Sequence, residues 1–297
     1  MRWKRSGSSS QIDDRRGQGG GRSGGGFPLG GGKMAGGGLG LIGLILAVLL
    51  GGNLGGGGSG GGFDVDPGLS PFGTAPRAAD GGLEGAPDPD AQLKEFVTFV
   101  VEDVQKSWQE QFQAAGKSYE VTTLVLFEDG VDTGCGSATS ATGPFYCPAD
   151  NQVYLDLGFF RDLATRFDAP GDFAQAYVIA HEIGHHVQNL LGVNAQVQRE
   201  SKRNPDDANE LSVRLELQAD CFAGVWANSA YQDELLEAGD LEEGLGAASA
   251  VGDDRIQKEA TGRVNPESFT HGTSAQRMEW FQKGYTSGSP ERCDTFS

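Results

Sequence analysis

Three of the four histidines in this 297-residue chain, His181, His185 and His186, fall within six residues, and Glu182 stands beside the first. The run His181-Glu182-Ile183-Gly184-His185 is an H-E-x-x-H pattern. On a helix, residues four apart differ in direction by about 40°, so both imidazoles reach one ion while the glutamate projects beside them to activate a water. Glu182 is then the candidate general base, taking the water's proton and passing it to a leaving amine. His186 is one residue out of phase with His185, so it is expected to face water or bond a substrate rather than to ligate. A chance match on a surface helix is the competing reading. Against it, Tyr177 to Ala180 precede the motif, and Val187, Leu190 and Leu191 follow it. In such apolar surroundings two histidines and a glutamate are costly unless paired or metal-bound.

A catalytic zinc takes three protein ligands and keeps one position open. Glu216-Leu217-Gln218-Ala219-Asp220 places two acids four apart on one helix face. Glu216 is the candidate third ligand, with Glu210, Glu200 and His271 as alternatives. Asp220 is placed to accept a hydrogen bond from the non-ligating nitrogen of a zinc histidine, most naturally His181.

These residues need elements to position them. Asp172, with Gln175 three residues on, reads as a capping box opening a helix that runs to Gly192 and carries the motif. A polar loop, RESKRNPDDAN, then separates it from a second helix over roughly Glu210 to Tyr231. A third helix follows Asp240, with a capping box to Glu243, and a fourth starts near Thr273. Upstream, Leu93 to Phe112 has helical spacing between Asp90 and Gly116. Glu120 to Phe127 and Gln152 to Leu157 read as strands, and Phe159 to Phe167 as a short helix.

The remainder of the chain differs in kind. Thirty of the 48 glycines lie in the first 90 residues, a stretch too poor in apolar side chains to offset its own ordering entropy, so the folded part is expected from Ala91 to Ser297. Within it, Met34 to Leu54 carries no charge and as a helix spans about 31 Å, the length of a single membrane crossing. The residues before it carry a net charge of +5 (seven basic, two acidic), which predicts a cytoplasmic tail over 1–33, an anchor over 34–54, a disordered linker over 55–90 and a domain outside or in a periplasm. Taking +5 from the total of −18 leaves −23, which argues against nucleic acid or an anionic membrane surface as a partner. In that oxidising setting Cys135 and Cys147 flank a small loop they can close, and Cys221 and Cys293 pair by elimination.

H-E-x-x-H followed by E-x-x-A-D resembles the gluzincin metallopeptidases. The segments GPFYCPADNQVYLDLGFF, AHEIGHHVQNLLG, RLELQADCFAGVWA, GDDRIQKEATG and SFTHGTSAQRMEWFQKGY resemble a bacterial family of neutral zinc metallopeptidases, single-pass membrane proteins with a glycine-rich N-terminal part. The likeness runs over essentially all of residues 91–297. It implies one zinc per chain on His181, His185 and Glu216, with Glu182 as base and Asp220 behind the histidines. It also points to Thr270-His271-Gly272, where His271 would bond the oxyanion and Arg277 would buttress the segment. Gluzincin likeness further suggests Gln152 to Leu157 as an edge strand above the zinc helix, binding peptides of many sequences by strand addition.

The expected molecule is an α+β, zincin-like domain, mostly helical with a small sheet, acting as a membrane-anchored zinc endopeptidase on peptide or protein substrates. Two other readings compete: a non-catalytic, zinc-stapled envelope scaffold or adaptor, and a zinc hydrolase of non-peptide amides. A structural site has no need of a base such as Glu182 and normally closes all four positions.

Overall fold

The computed structural model describes residues 1–5, 7, 9–17 and 88–297. The expected anchor over 34–54 and nearly all of the expected linker lie outside the described residues. In chain order the described elements are β1 (Ile12–Asp14), α1 (Ala91–Ala114), β2 (Thr123–Phe127), β3 (Gly130–Thr133), β4 (Gly136–Thr139), β5 (Phe145–Cys147) and β6 (Gln152–Asp156). They continue with α2 (Gly158–Thr165), α3 (Asp172–Leu190), α4 (Val193–Arg203), α5 (Ala208–Gln232), α6 (Asp240–Ala250), α7 (Asp253–Thr261) and α8 (Ser274–Ser287). The fold is α+β, and helix dominates it. None of the described helices is long and apolar enough to cross a membrane.

The main sheet runs β1-β2-β6-β5, with β1, β2 and β6 parallel and β5 antiparallel to β6. Strand alternation sorts its side chains onto two faces. Leu124, Leu126, Val153 and Leu155 join the main core with the buried face of α1 and with α3 and α5, while Val125, Phe127, Phe145 and Tyr154 form a second cluster against Val131 of β3 and Ala138 of β4. Because β6 lies between β2 and β5, the strand expected at the edge is interior, and among the described strands β5 stands at the edge instead. The loop expected between Cys135 and Cys147 holds β4 and β5, and the Cys135–Cys147 disulfide ties them together.

The described N-terminal residues, 1–5, 7 and 9–17, belong to this folded body, where a free basic tail is expected from sequence. Ile12 to Asp14 pair in register with Leu124 to Leu126, and Trp3 stacks edge-on against Phe96 with ring centroids 5.5 Å apart. Lys94 reaches Asp14 at 2.7 Å, and Arg16 bridges Asp14 and Asp88, each at 2.8 Å. Composition misses this because a three-residue strand with a few anchors needs little apolar surface of its own when a sheet edge awaits it.

The helix starts also differ from expectation. Asp172 is the first residue of α3 rather than its cap, and its carboxylate accepts from the Met1 amine at 2.7 Å. Asp240 likewise begins α6 without capping it, and Glu243 reaches across to accept from the Phe173 amide. Gly192, in the left-handed region at φ 80°, turns the chain out of α3 and directly into α4, where a polar loop is expected. Gly184, inside the motif, faces α5: a Cβ there would stand 3.1 Å from the Ala219 carbonyl. An interior glycine costs a helix about 1 kcal/mol relative to alanine, and here it lets α3 approach the helix that carries Glu216. On the other side of α5, Gly224 and Gly284 let α8 come close, and Cys221–Cys293 fastens the chain just beyond α8.

Candidate metal centre

Helix α3 presents His181 and His185 toward the Glu216 carboxylate on α5. His181 Nε2 lies 3.2 Å from one carboxylate oxygen and His185 Nε2 3.5 Å from the other. One ligand atom from each of the three residues falls within 4.8 Å of the other two. Two imidazoles and a carboxylate are a donor set suited to zinc, and the outer nitrogens point the same way. His181 Nδ1 is 2.8 Å from Asp220 Oδ1, and His185 Nδ1 is 2.8 Å from Gln188 Oε1. Each partner can hold a proton at Nδ1, which in the neutral ring leaves the Nε2 lone pair for an ion at the centre. Of the alternative ligands, Glu200 accepts from Gln196 and Glu210 from Arg214, and His271 lies outside the three-residue cluster.

Behind His181 lies a fully buried charge network. Arg277 is 0% exposed and donates from Nε to Asp220 Oδ2 at 2.8 Å and from Nη2 to Oδ1 at 2.9 Å. The Tyr177 hydroxyl donates to the same Oδ1 at 2.5 Å. Arg277 therefore braces Asp220 rather than the Thr270–Gly272 segment expected from sequence. That segment is held by Asp253, whose Oδ2 accepts the amides of Thr270 and His271 at 2.7 Å and of Gly272 at 3.2 Å. Asp253 Oδ1 lies 3.1 Å from His271 Nδ1, which fixes the ring.

Burial and charge pull against each other throughout. Burial by itself lowers the His181 pKa, but the Asp220 carboxylate, seconded by Glu216, raises it to about 9. His185 is raised in the same way against burial by Glu216. Burial pushes Glu216 up, yet the two imidazoles hold it well below the carboxylate range. Glu182 moves the other way, raised chiefly by burial, and its Oε1 has no hydrogen-bond partner among the described residues. A buried carboxylate oxygen with nothing to bond marks a place where a ligand or water belongs.

Glu182, His185, Glu216 and His271 all line one cleft of about 490 Å³, whose wall also includes Tyr146 of β5 and Val197 of α4. His186 is absent from that lining and does not face water. It is 1% exposed, with Nε2 2.6 Å from the Glu120 carbonyl and Nδ1 3.1 Å from the Tyr146 hydroxyl.

Sequence reading missed Tyr177, Gln188 and Asp253. Tyr177 lies four residues before His181 and Gln188 three after His185, on the same helix, so helical spacing could have found both. Asp253 meets its loop only through tertiary folding.

A family model described as "putative neutral zinc metallopeptidase" matches residues 1–296 of the chain. The chain belongs to that family. Among curated relatives of this zinc metallopeptidase family member, "Uncharacterized protein YpfJ" of Escherichia coli (strain K12) is 44% identical over 298 residues, covering 100% of this chain and 99% of the relative. "Uncharacterized protein Rv2575" of Mycobacterium tuberculosis (strain ATCC 25618 / H37Rv) is 51% identical over 183 residues, covering 58% of this chain and 61% of the relative. No solved structure matches the chain. The family match begins at residue 1, so it takes in the N-terminal strand as well as the helices of the centre.

Proposed function

We propose that the chain is a zinc-dependent endopeptidase of the gluzincin kind, with His181, His185 and Glu216 as ligands and one zinc per chain. The convergence of both Nε2 atoms on the Glu216 carboxylate, beside a buried and unpartnered Glu182 oxygen, is the observation that carries this reading. A zinc ion held there supplies Lewis-acid polarisation and a water acidic enough to ionise near neutral pH. Glu182 takes the proton of the attacking water and returns it to the leaving amine. Burial raises its pKa, which strengthens it as the base that takes the first proton. His271, bonded at Nδ1 to Asp253 and lining the cleft, is the group assigned to the developing oxyanion; it donates there as the doubly protonated imidazolium, whose second N–H is at Nε2.

The substrate backbone lies along β5. This strand pairs only with β6 among the described strands, and its Tyr146 lines the cleft. Strand addition there uses backbone hydrogen bonds and tolerates many sequences.

The test is Glu182→Gln in the full chain, assayed on an unstructured protein with and without chelator. The variant should keep its zinc by metal analysis and lose hydrolysis by roughly 10²-fold or more. Full activity in the variant, or activity indifferent to the chelator, overturns the mechanism. Wild-type protein that binds zinc and cleaves nothing leaves the scaffold reading in its place.

A further inference from the structure

The third histidine of the cluster is neither a ligand nor a solvent-facing residue, and both its nitrogens are engaged inside the protein. The Glu120 carbonyl can only accept, so His186 Nε2 carries the proton in that 2.6 Å bond. Nδ1 is left as an acceptor; the Tyr146 hydroxyl lies 3.1 Å from it and 3.0 Å from Asn151 Oδ1, and because that oxygen already accepts from Asn189 while Nδ1 has no other donor among the described residues, the one hydroxyl proton is assigned to Nδ1. The hydroxyl oxygen in turn accepts from Asn189 Nδ2 at 3.1 Å, and the second hydrogen of that amide goes to Asn151 Oδ1 at 2.7 Å. Both His186 nitrogens and the Tyr146 hydroxyl are thereby satisfied. The rings close around it as well, with Tyr119 and Tyr146 at 5.6 and 5.5 Å from the His186 ring.

The geography of this network gives it a consequence. His186 and Asn189 are on the helix that carries His181, Glu182 and His185. Tyr146 is the middle residue of the edge strand β5, and Asn151 belongs to the turn joining β5 to β6. The turn is fastened again by Thr122, whose hydroxyl donates to the Asn151 carbonyl at 2.7 Å. The Tyr146 phenol thus locks the strand that borders the cleft to the helix that holds the metal centre.

We propose that His186 and Asn189 are positioning residues for substrate: by gripping the Tyr146 hydroxyl they set edge strand β5 at a fixed height above the metal centre, so that a peptide added to β5 arrives with its scissile bond in register. The proposal rests on the peptidase reading, and it separates the adjacent histidines of the motif by task. His185 serves the metal and His186 serves the strand.

Tyr146→Phe removes the hydroxyl and keeps the ring in the cleft, and His186→Phe removes both hydrogen bonds at the other end. In the full, zinc-loaded chain both should retain zinc by metal analysis. Hydrogen exchange at the β5 amides that bond to β6 should rise about tenfold, the equivalent of one lost hydrogen bond, while amides around His181 to His185 stay protected. On a peptide long enough to lie along β5, KM should rise about tenfold with kcat within a few-fold. Unchanged exchange at β5 in Tyr146→Phe overturns the clamp. Faster exchange with unchanged KM overturns its role toward substrate, and loss of zinc in His186→Phe returns His186 to the metal. If wild-type protein cleaves no peptide, the peptidase reading fails by that result, and the exchange measurement still decides whether the clamp exists.

Discussion

Each of the two histidines proposed as ligands is held from behind by a different kind of partner. His181 leans on a carboxylate that Arg277 and Tyr177 keep ionised and fixed, whereas His185 leans on a neutral amide. Gln188 in turn donates to the Leu215 carbonyl at 2.7 Å and to Gln218 Oε1 at 3.1 Å, so its carbonyl oxygen cannot rotate away from His185. Gln188→Ala should lower zinc affinity about 10- to 100-fold, the usual cost of losing such a partner. Competition against a chelator of known affinity measures it, and an unchanged affinity removes Gln188 from the centre. At this scale the sequence was most informative where spacing along one helix did the work. The H-E-x-x-H run and the Glu216/Asp220 pair announce themselves through the four-residue repeat, and the structure brings their side chains together. Arg277 and His271 owe their expected roles to the family resemblance alone, and their contacts, Asp220 and Asp253, were not foreseen. Which buried acid an arginine meets depends on how α8 sits against α5, and no local pattern encodes that.

At the scale of elements, close helix contact is what brings the centre together. A Cβ on Gly284 would stand 1.9 Å from the Cys221 carbonyl oxygen, and one on Gly224 would stand 2.0 Å from that of Phe281. Both obstacles are backbone, so neither can swing aside. Gly284→Ala should therefore cost about 1–3 kcal/mol despite the better helix propensity of alanine, read from a denaturant midpoint. It should also disturb the Asp220–Arg277 contact that spans the same two helices. A gain in stability would show that α5 and α8 can separate freely. The elements sequence reading missed are the ones with little hydrophobic signature. Helix α4 buries only Asn194 and Val197 of its eleven residues, so its sequence looks like solvated loop. Strand β5 is three residues long inside a glycine- and serine-rich stretch. Both border the cleft, and both owe their conformation to neighbours rather than to their own composition.

For the whole molecule, the position of the N-terminal strand decides most. Residues 12–14 and 123–127 share one sheet, and Arg16 meets Asp88 at 2.8 Å, so the two ends of segment 18–87 are side by side. A single membrane crossing by residues 34–54, as expected from their length and the basic residues before them, would place those ends on opposite faces. The pairing and a single crossing are incompatible. Cysteines introduced at exposed Lys4 and Lys117, with the four native cysteines held in disulfides, report the outcome in intact cells through a membrane-impermeant maleimide. The two positions should label alike, and labelling of one alone would mean that β1 leaves the sheet in the cell. The same strand carries a practical lesson about where this domain can be cut. A chain begun at Ala91, the boundary that composition recommends, would strip β2 of its parallel neighbour and leave a row of unpaired amides and carbonyls flanked by Leu124 and Leu126. Such an edge recruits other strands, so the truncated protein is expected to self-associate on a sizing column, and a synthetic peptide of residues 1–17 to return it to a monomer by refilling the vacated edge.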